Sequence, residues 1–170
     1  MGIGGIVIMP KKYWKIAARI IIGLLAFVII APWFLSMGFN NIALWRFSRQ
    51  LDTISAPTTI ALLERKDILG KLNGNGNGMD FLACRLIRTD MGEDALERSL
   101  NLPEFHSARG SDWPVAVEIV PMASAELESD YLEHGRISFD DLSGVQDYTG
   151  YYALIIYDGG YDALFDIRGH

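Results

Sequence analysis

One cysteine, Cys84, stands among 170 residues. It excludes an intramolecular disulfide and leaves the fold to its core. Histidine is scarce as well: His106, His134 and His170 lie 28 and 36 residues apart, without the clustered spacing of a zinc site. There is no Asn-x-Ser/Thr acceptor, no Gly-x-Ser-x-Gly elbow and no internal repeat. Charge is missing from one stretch altogether. From Ile20 to Phe39 the only polar side chain is Ser36.

That stretch is about 20 residues long, enough to cross roughly 30 Å of hydrocarbon at about 1.5 Å per residue. A core helix of a soluble domain would keep a polar face, and here there is none. Tyr13 and Trp14 precede it, and Trp33 and Phe34 lie near its far end. Trp14 to Trp33 spans roughly 28 Å of helix, which suits two aromatic belts at two interfaces. Pro32 is tolerated better in a bilayer helix than in a soluble one. Lys11, Lys12, Lys15 and Arg19 precede the span without an acidic residue among them. The excess of cations predicts an N-terminus in the cytoplasm and a domain outside it.

A cleaved secretory signal is the alternative. It shares the basic start, but its apolar core usually runs 7–15 residues, and Ser36-Met37-Gly38 is a poor cleavage site. In either case the domain leaves the cytoplasm. The expected plan is a basic N-terminus over 1–16, a transmembrane helix over 17–39, a juxtamembrane linker over 40–57 and an α+β domain over 58–170. Within 40–57, Ile42, Trp45, Phe47 and Leu51 alternate with Arg46 and Arg49, a pattern that suits a short helix lying at the headgroups.

Four of the 15 Lys+Arg precede residue 40, which leaves 11 against all 21 Asp+Glu, a net charge of −10 for the outer part. Nucleic acid needs basic faces and is excluded as a partner. The lipid bilayer is the expected surroundings of the anchor, and a protein partner with basic groups suits the domain. The residues imply no cofactor.

Strands are predicted within Ile60–Leu72, at Met79–Arg88, at Val115–Val120 and at Arg136–Phe139. Met79–Arg88 is apolar on both faces and reads as a central strand, with Arg85 near an edge or a partner. A helix is predicted from Met91 to Leu100, capped by Asp90, with Ala95, Leu96 and Leu100 buried. Tyr151–Tyr157 and Tyr161–Arg168 read as a hairpin around Gly159-Gly160. The fold class is α+β: an N-terminal transmembrane helix, then a small antiparallel sheet with one packed helix.

The candidate binding loop is Asn73, Gly74, Asn75, Gly76, Asn77 and Gly78, with Asp80 beside it. Three consecutive Asn-Gly pairs accept the positive φ of a hairpin turn. A phosphate loop would need Lys and Ser/Thr next, whereas Met79 and Asp80 follow. A single copy of a Gly-rich calcium repeat cannot stack. The acidic run Glu126, Glu128, Asp130, Glu133, Asp140 and Asp141 reads as a solvated face. An enzyme would have to draw Glu133-His134 together with Asp166 and His170 in space. Cys84, in mid-strand, reads as an inert thiol.

Gly70–Phe81 with its following helix, and the ending Asp166-Ile167-Arg168-Gly169-His170, resemble segments of small bacterial membrane-anchored proteins of uncharacterised function. The resemblance covers residues 60–100 and the last 20. It implies bacterial origin and the same topology, and no activity. Together these readings predict an accessory or interaction protein of the bacterial envelope, with an envelope hydrolase, an immunity protein or a structural subunit as alternatives.

Overall fold

A computed structural model describes residues 11–170, apart from 75, 124–125 and 133–136, and without the side chains of 11, 12 and 126. The cationic side chains of Lys11 and Lys12, the acids Glu126 and Glu133, and His134, Arg136 and Asn75 therefore lie outside the described residues.

The chain begins with α1, Lys11–Ser48, 38 residues long. It is long and apolar enough to cross a membrane. Its large side chains from Ile20 to Ile30 all stand open, as a helix without a polar face requires if lipid is to cover it. Pro32 does not end it; the helix runs on to Ser48. Residues 40–57 are thus not a separate linker lying flat. Asn40 and Phe47 are buried at 1% exposure each, so the last turns of α1 belong to the domain's core. A 3-10 turn, Arg49–Thr53, follows, with Leu51 also buried.

The sheet is antiparallel. β1 (Ala61–Gly70) and β2 (Met79–Arg88) form a hairpin, and β6 (Tyr151–Tyr161) and β3 (Ala116–Pro121) complete the order β1-β2-β6-β3. Two further short strands, β4 (Glu126–Leu127) and β5 (Ile137–Ser138), pair as a separate ribbon.

β2 is central, and its alternation sorts the core in two. Phe81, Ala83 and Ile87 face α1 together with Leu96, Leu100, Phe105, Leu154 and Ile156. Leu82, Cys84 and Leu86 face the other side, under Leu127, Ile137, Phe139 and Leu142. Burial on both faces is why the strand lacks a polar stripe. Burying Phe47 against it contributes about 1.5–3 kcal/mol and joins α1 to the domain.

Arg85 is a buried polar residue in the middle of that strand. It is 3% exposed and lies between Asp67 at 3.0 Å and Asp52 at 3.3 Å. Its Nη2 also donates to the Ser48 carbonyl at 2.8 Å. That carbonyl ends α1, where a cation meets the negative end of the helix dipole.

Helix α2 is Glu93–Ser99. Its cap is Gly92 without a side-chain bond, rather than Asp90, and Ala95 faces outward while Leu96 and Leu100 are buried.

The expected C-terminal hairpin does not form. β6 runs straight through Gly159-Gly160 to Tyr161. Opposite Met79 and Phe81, β6 inserts one extra residue: Met79 pairs with Tyr161, and Phe81 with Asp158. The two glycines make a bulge. Gly160 has φ +85°, and a Cβ on Gly159 would run into the Asp80 carboxylate and the Tyr157 hydroxyl. The strand predicted over Tyr161–Arg168 is absent accordingly, since β6 ends at Tyr161. Asp166 is fully buried, while Phe165 and Ile167 are exposed.

Candidate functional site

The Asn-Gly loop closes the β1–β2 hairpin with eight residues, 71–78, instead of a two-residue turn. Only Gly74 among its described glycines needs positive φ, at +76°. Gly76 and Asn77 are exposed. Asn75 lies outside the described residues. Asp80 stands at the root of the loop, 3% exposed. Its Oδ2 accepts the backbone N–H groups of Leu72 and Asn73 at 2.9 and 3.1 Å, and its Oδ1 accepts that of Gly160 at 2.9 Å. The carboxylate is spent on folding the loop and pinning the bulge. Burial, and the Asp80 charge beside it, push the Tyr157 hydroxyl up.

The C-terminal segment clamps the stems of this loop. Lys71 N–H donates to the Arg168 carbonyl at 2.9 Å, and Gly78 N–H to the Gly169 carbonyl at 2.8 Å. Gly169 has to be glycine: a Cβ there would sit 2.6 Å from the Gly78 carbonyl and 2.5 Å from the Ala163 Cβ.

The same segment grips α1. Arg168 forks onto Asp166 through Nε at 2.9 Å and Nη2 at 2.7 Å. Asn40 Nδ2 donates to the same carboxylate at 2.7 Å, and Arg168 reaches Asn41 Oδ1 at 2.7 Å and the Met37 carbonyl at 3.3 Å. The Arg168 guanidinium, against the opposing effect of burial, holds the Asp166 carboxyl at about 2. Asn40 receives Arg109 on its Oδ1. The Arg109 guanidinium lies over the rings of Tyr161 and Phe81, 5.3 and 5.7 Å from their centroids. Asp158 in turn accepts the Ala108 N–H at 2.6 Å and holds the Tyr161 hydroxyl.

Beside this network an amphipathic groove of about 680 Å³ opens between α1 and the C-terminal segment. Phe39, Ile42, Leu164 and Phe165 supply its apolar wall, and Arg46 and Arg109 its cations. Phe165 also meets Trp33, with ring centroids 6.0 Å apart.

Among the described residues, the catalytic candidates named from sequence do not meet in this groove. Cys84 is buried in mid-strand, and burial pushes its thiol up. Neither His106 nor His170 lines the groove. His170 Nε2 lies 3.0 Å from the Leu164 carbonyl, and Asp166 is committed to Arg168 and Asn40. Among the described residues no three His, Cys, Asp or Glu side chains converge as metal ligands would.

Of the residues singled out from sequence, Asp80 holds the loop and the glycines permit it. Asn40, Arg109 and Asp158 were missed, and Asp166 and Arg168 were named only in other roles. The Asn40-Asn41 pair directly after an apolar run was the available signal for the first. Asp166 was placed in a second hairpin strand, Tyr161–Arg168, which the structure lacks. Family models, curated proteins and solved structures were compared with the chain, and none matches it.

Proposed function

We propose that this chain is a single-pass accessory protein of the bacterial cell envelope, with its N-terminus in the cytoplasm and its acidic domain outside. Its work is to hold that domain against a partner at the membrane surface. The carrying observation is the continuity of α1. One helix supplies the open apolar stretch from Ile20 to Ile30 and, further on, Asn40 and Phe47 to the buried core. A domain fixed in this way cannot drift from the bilayer on a tether. Its net charge of −10 after residue 40 favours a partner with basic groups.

Two measurements test this. A C-terminal reporter that is active only outside the cytoplasm is expected to be active, and an inactive one reverses the orientation. The tagged chain, purified in mild detergent, is expected to bring a basic partner at low salt and lose it at high salt. A chain that purifies alone under both conditions removes the interaction reading.

A further inference from the structure

We propose that residues 163–170 form a hook that dips into the outer leaflet, so that the domain touches the bilayer at a second point besides its anchor. The inference rests on the membrane reading of α1 and adds the pose of the domain.

The hook is built inside out for water. Leu164, Phe165 and Ile167 are 65%, 48% and 59% exposed, while Asp166 between them is fully buried. A segment in water would turn the carboxylate outward and the three apolar side chains inward. Here Asn40 and Arg168 hold Asp166 inside, and that grip forces its neighbours out. Leu164 takes a left-handed backbone, φ +51°, to reach its position.

What covers these side chains follows from where they stand. Phe165 packs on Trp33, which lies in the apolar stretch of α1 and suits the outer aromatic belt. The open apolar residues of the helix continue past it through Phe34, Leu35 and Phe39. The polar residues begin where the headgroup layer would, with Asn40 and Asn41 and then Arg46. The hook therefore flanks the same length of helix that lipid covers.

Irregular backbone is costly in lipid unless its polar groups are satisfied. The hook meets much of that demand internally. Asp166 N–H donates to the Ala163 carbonyl at 2.9 Å, Gly169 N–H to the Asp166 carbonyl at 3.2 Å, and Arg168 N–H to the Asp166 carboxylate at 3.2 Å. The occupant is the lipid surface, entered to the depth of the headgroup and acyl boundary.

Bimane on introduced cysteines tests this in the full-length chain, reconstituted in phosphatidylcholine–phosphatidylglycerol vesicles with brominated acyl chains. Cys84 is buried and leaves the label to the new thiol. Leu164→Cys and Ile167→Cys report on the hook, Leu35→Cys on the anchor, and Asp90→Cys on the opposite end of the sheet, roughly 30 Å of strand away. Quenching at 164 and 167 is expected to reach at least half of that at 35, with 90 unquenched. If 164 and 167 quench no more than 90 and emit as in water while 35 is quenched, the hook lies in water and the anchor reading survives. An unquenched probe at 35 takes both readings down. Blue-shifted emission at 164 and 167 without bromine quenching assigns the patch to a second copy or another protein and overturns the lipid assignment.

Discussion

Asn40 on the long helix donates from Nδ2 to Oδ2 of Asp166 at 2.7 Å, across 126 residues of chain. This bond ties α1 to the C-terminal segment. Arg168 completes it and reaches Asn41 and Met37 as well, and the Arg168 and Gly169 carbonyls hold the stems of the Asn-Gly loop. Helix, tail and hairpin loop thus share one junction at the base of the domain.

Asp166 makes that junction sensitive to acid. Its carboxyl is held at about 2 in the folded protein, below the roughly 3.9 of an unfolded aspartate. A lowered value stabilises the fold above the unfolded pKa, and this stability is lost as pH falls through the folded one. Asp166→Asn is expected to cost about 2 kcal/mol at neutral pH. The gap from wild type should be flat above about pH 5 and shrink towards pH 2. Denaturation of the full chain in detergent, repeated over that range, checks it; a gap that does not vary with pH refutes the assignment.

Arg85 sits between Asp52, Asp67 and the Ser48 carbonyl. Removing one partner of a buried pair costs about 3–5 kcal/mol, and the partial exposure of both aspartates places Arg85→Ala near about 3. Arg85→Met fills the space without the charge and is expected to cost less. Chemical denaturation midpoints of the two variants give the comparison, and equal losses would mean that the filled space contributes nothing and the lost charge carries the whole cost.

Glycine substitutions separate conformation from space. Gly74 has φ +76° with open surroundings, whereas Gly76 is open and carries no positive φ. Gly74→Val is expected to cost about 1–2 kcal/mol, and Gly76→Val less than about 0.5 kcal/mol. Gly169→Ala collides with the Gly78 carbonyl and should speed amide exchange at Gly78. Thermal melts and hydrogen exchange read these effects. Equal melting shifts for the two valine variants would contradict the loop geometry.

The Asp80 oxygens are taken by three backbone N–H groups, which leaves the Asn-Gly loop without a free carboxylate at its root. Millimolar calcium, or its removal by chelator, is expected to leave the melting temperature unchanged. Asp80→Ala should cost about 1–3 kcal/mol through the unsatisfied donors. A calcium-dependent rise in melting temperature would return the loop to the ion-binding class.

Cys84 is fully buried with its thiol pushed up. Maleimide labelling of the folded chain is expected to be negligible over hours and complete in denaturant. Rapid labelling under native conditions would show that β2 opens.

What the sequence determined by itself was whatever depends on local pattern. Ile20–Phe39 is apolar all round, and no arrangement of a small domain hides such a helix from water. Met79–Arg88 alternates between two apolar sets, so it had to be central. The tertiary structure decided what rests on contacts between distant residues. Gly159-Gly160 suits a primed turn equally well, and the Asp80 side chain, 80 residues away from Gly160, makes it a bulge. Asp166 and Arg168 carry no local signature, and the Asn40-Asn41 pair marks only the end of an apolar run; each is an ordinary polar residue until folding brings it to the others. Side-chain partners at long range are invisible to periodicity, because periodicity reports which face a residue takes and not what stands opposite it.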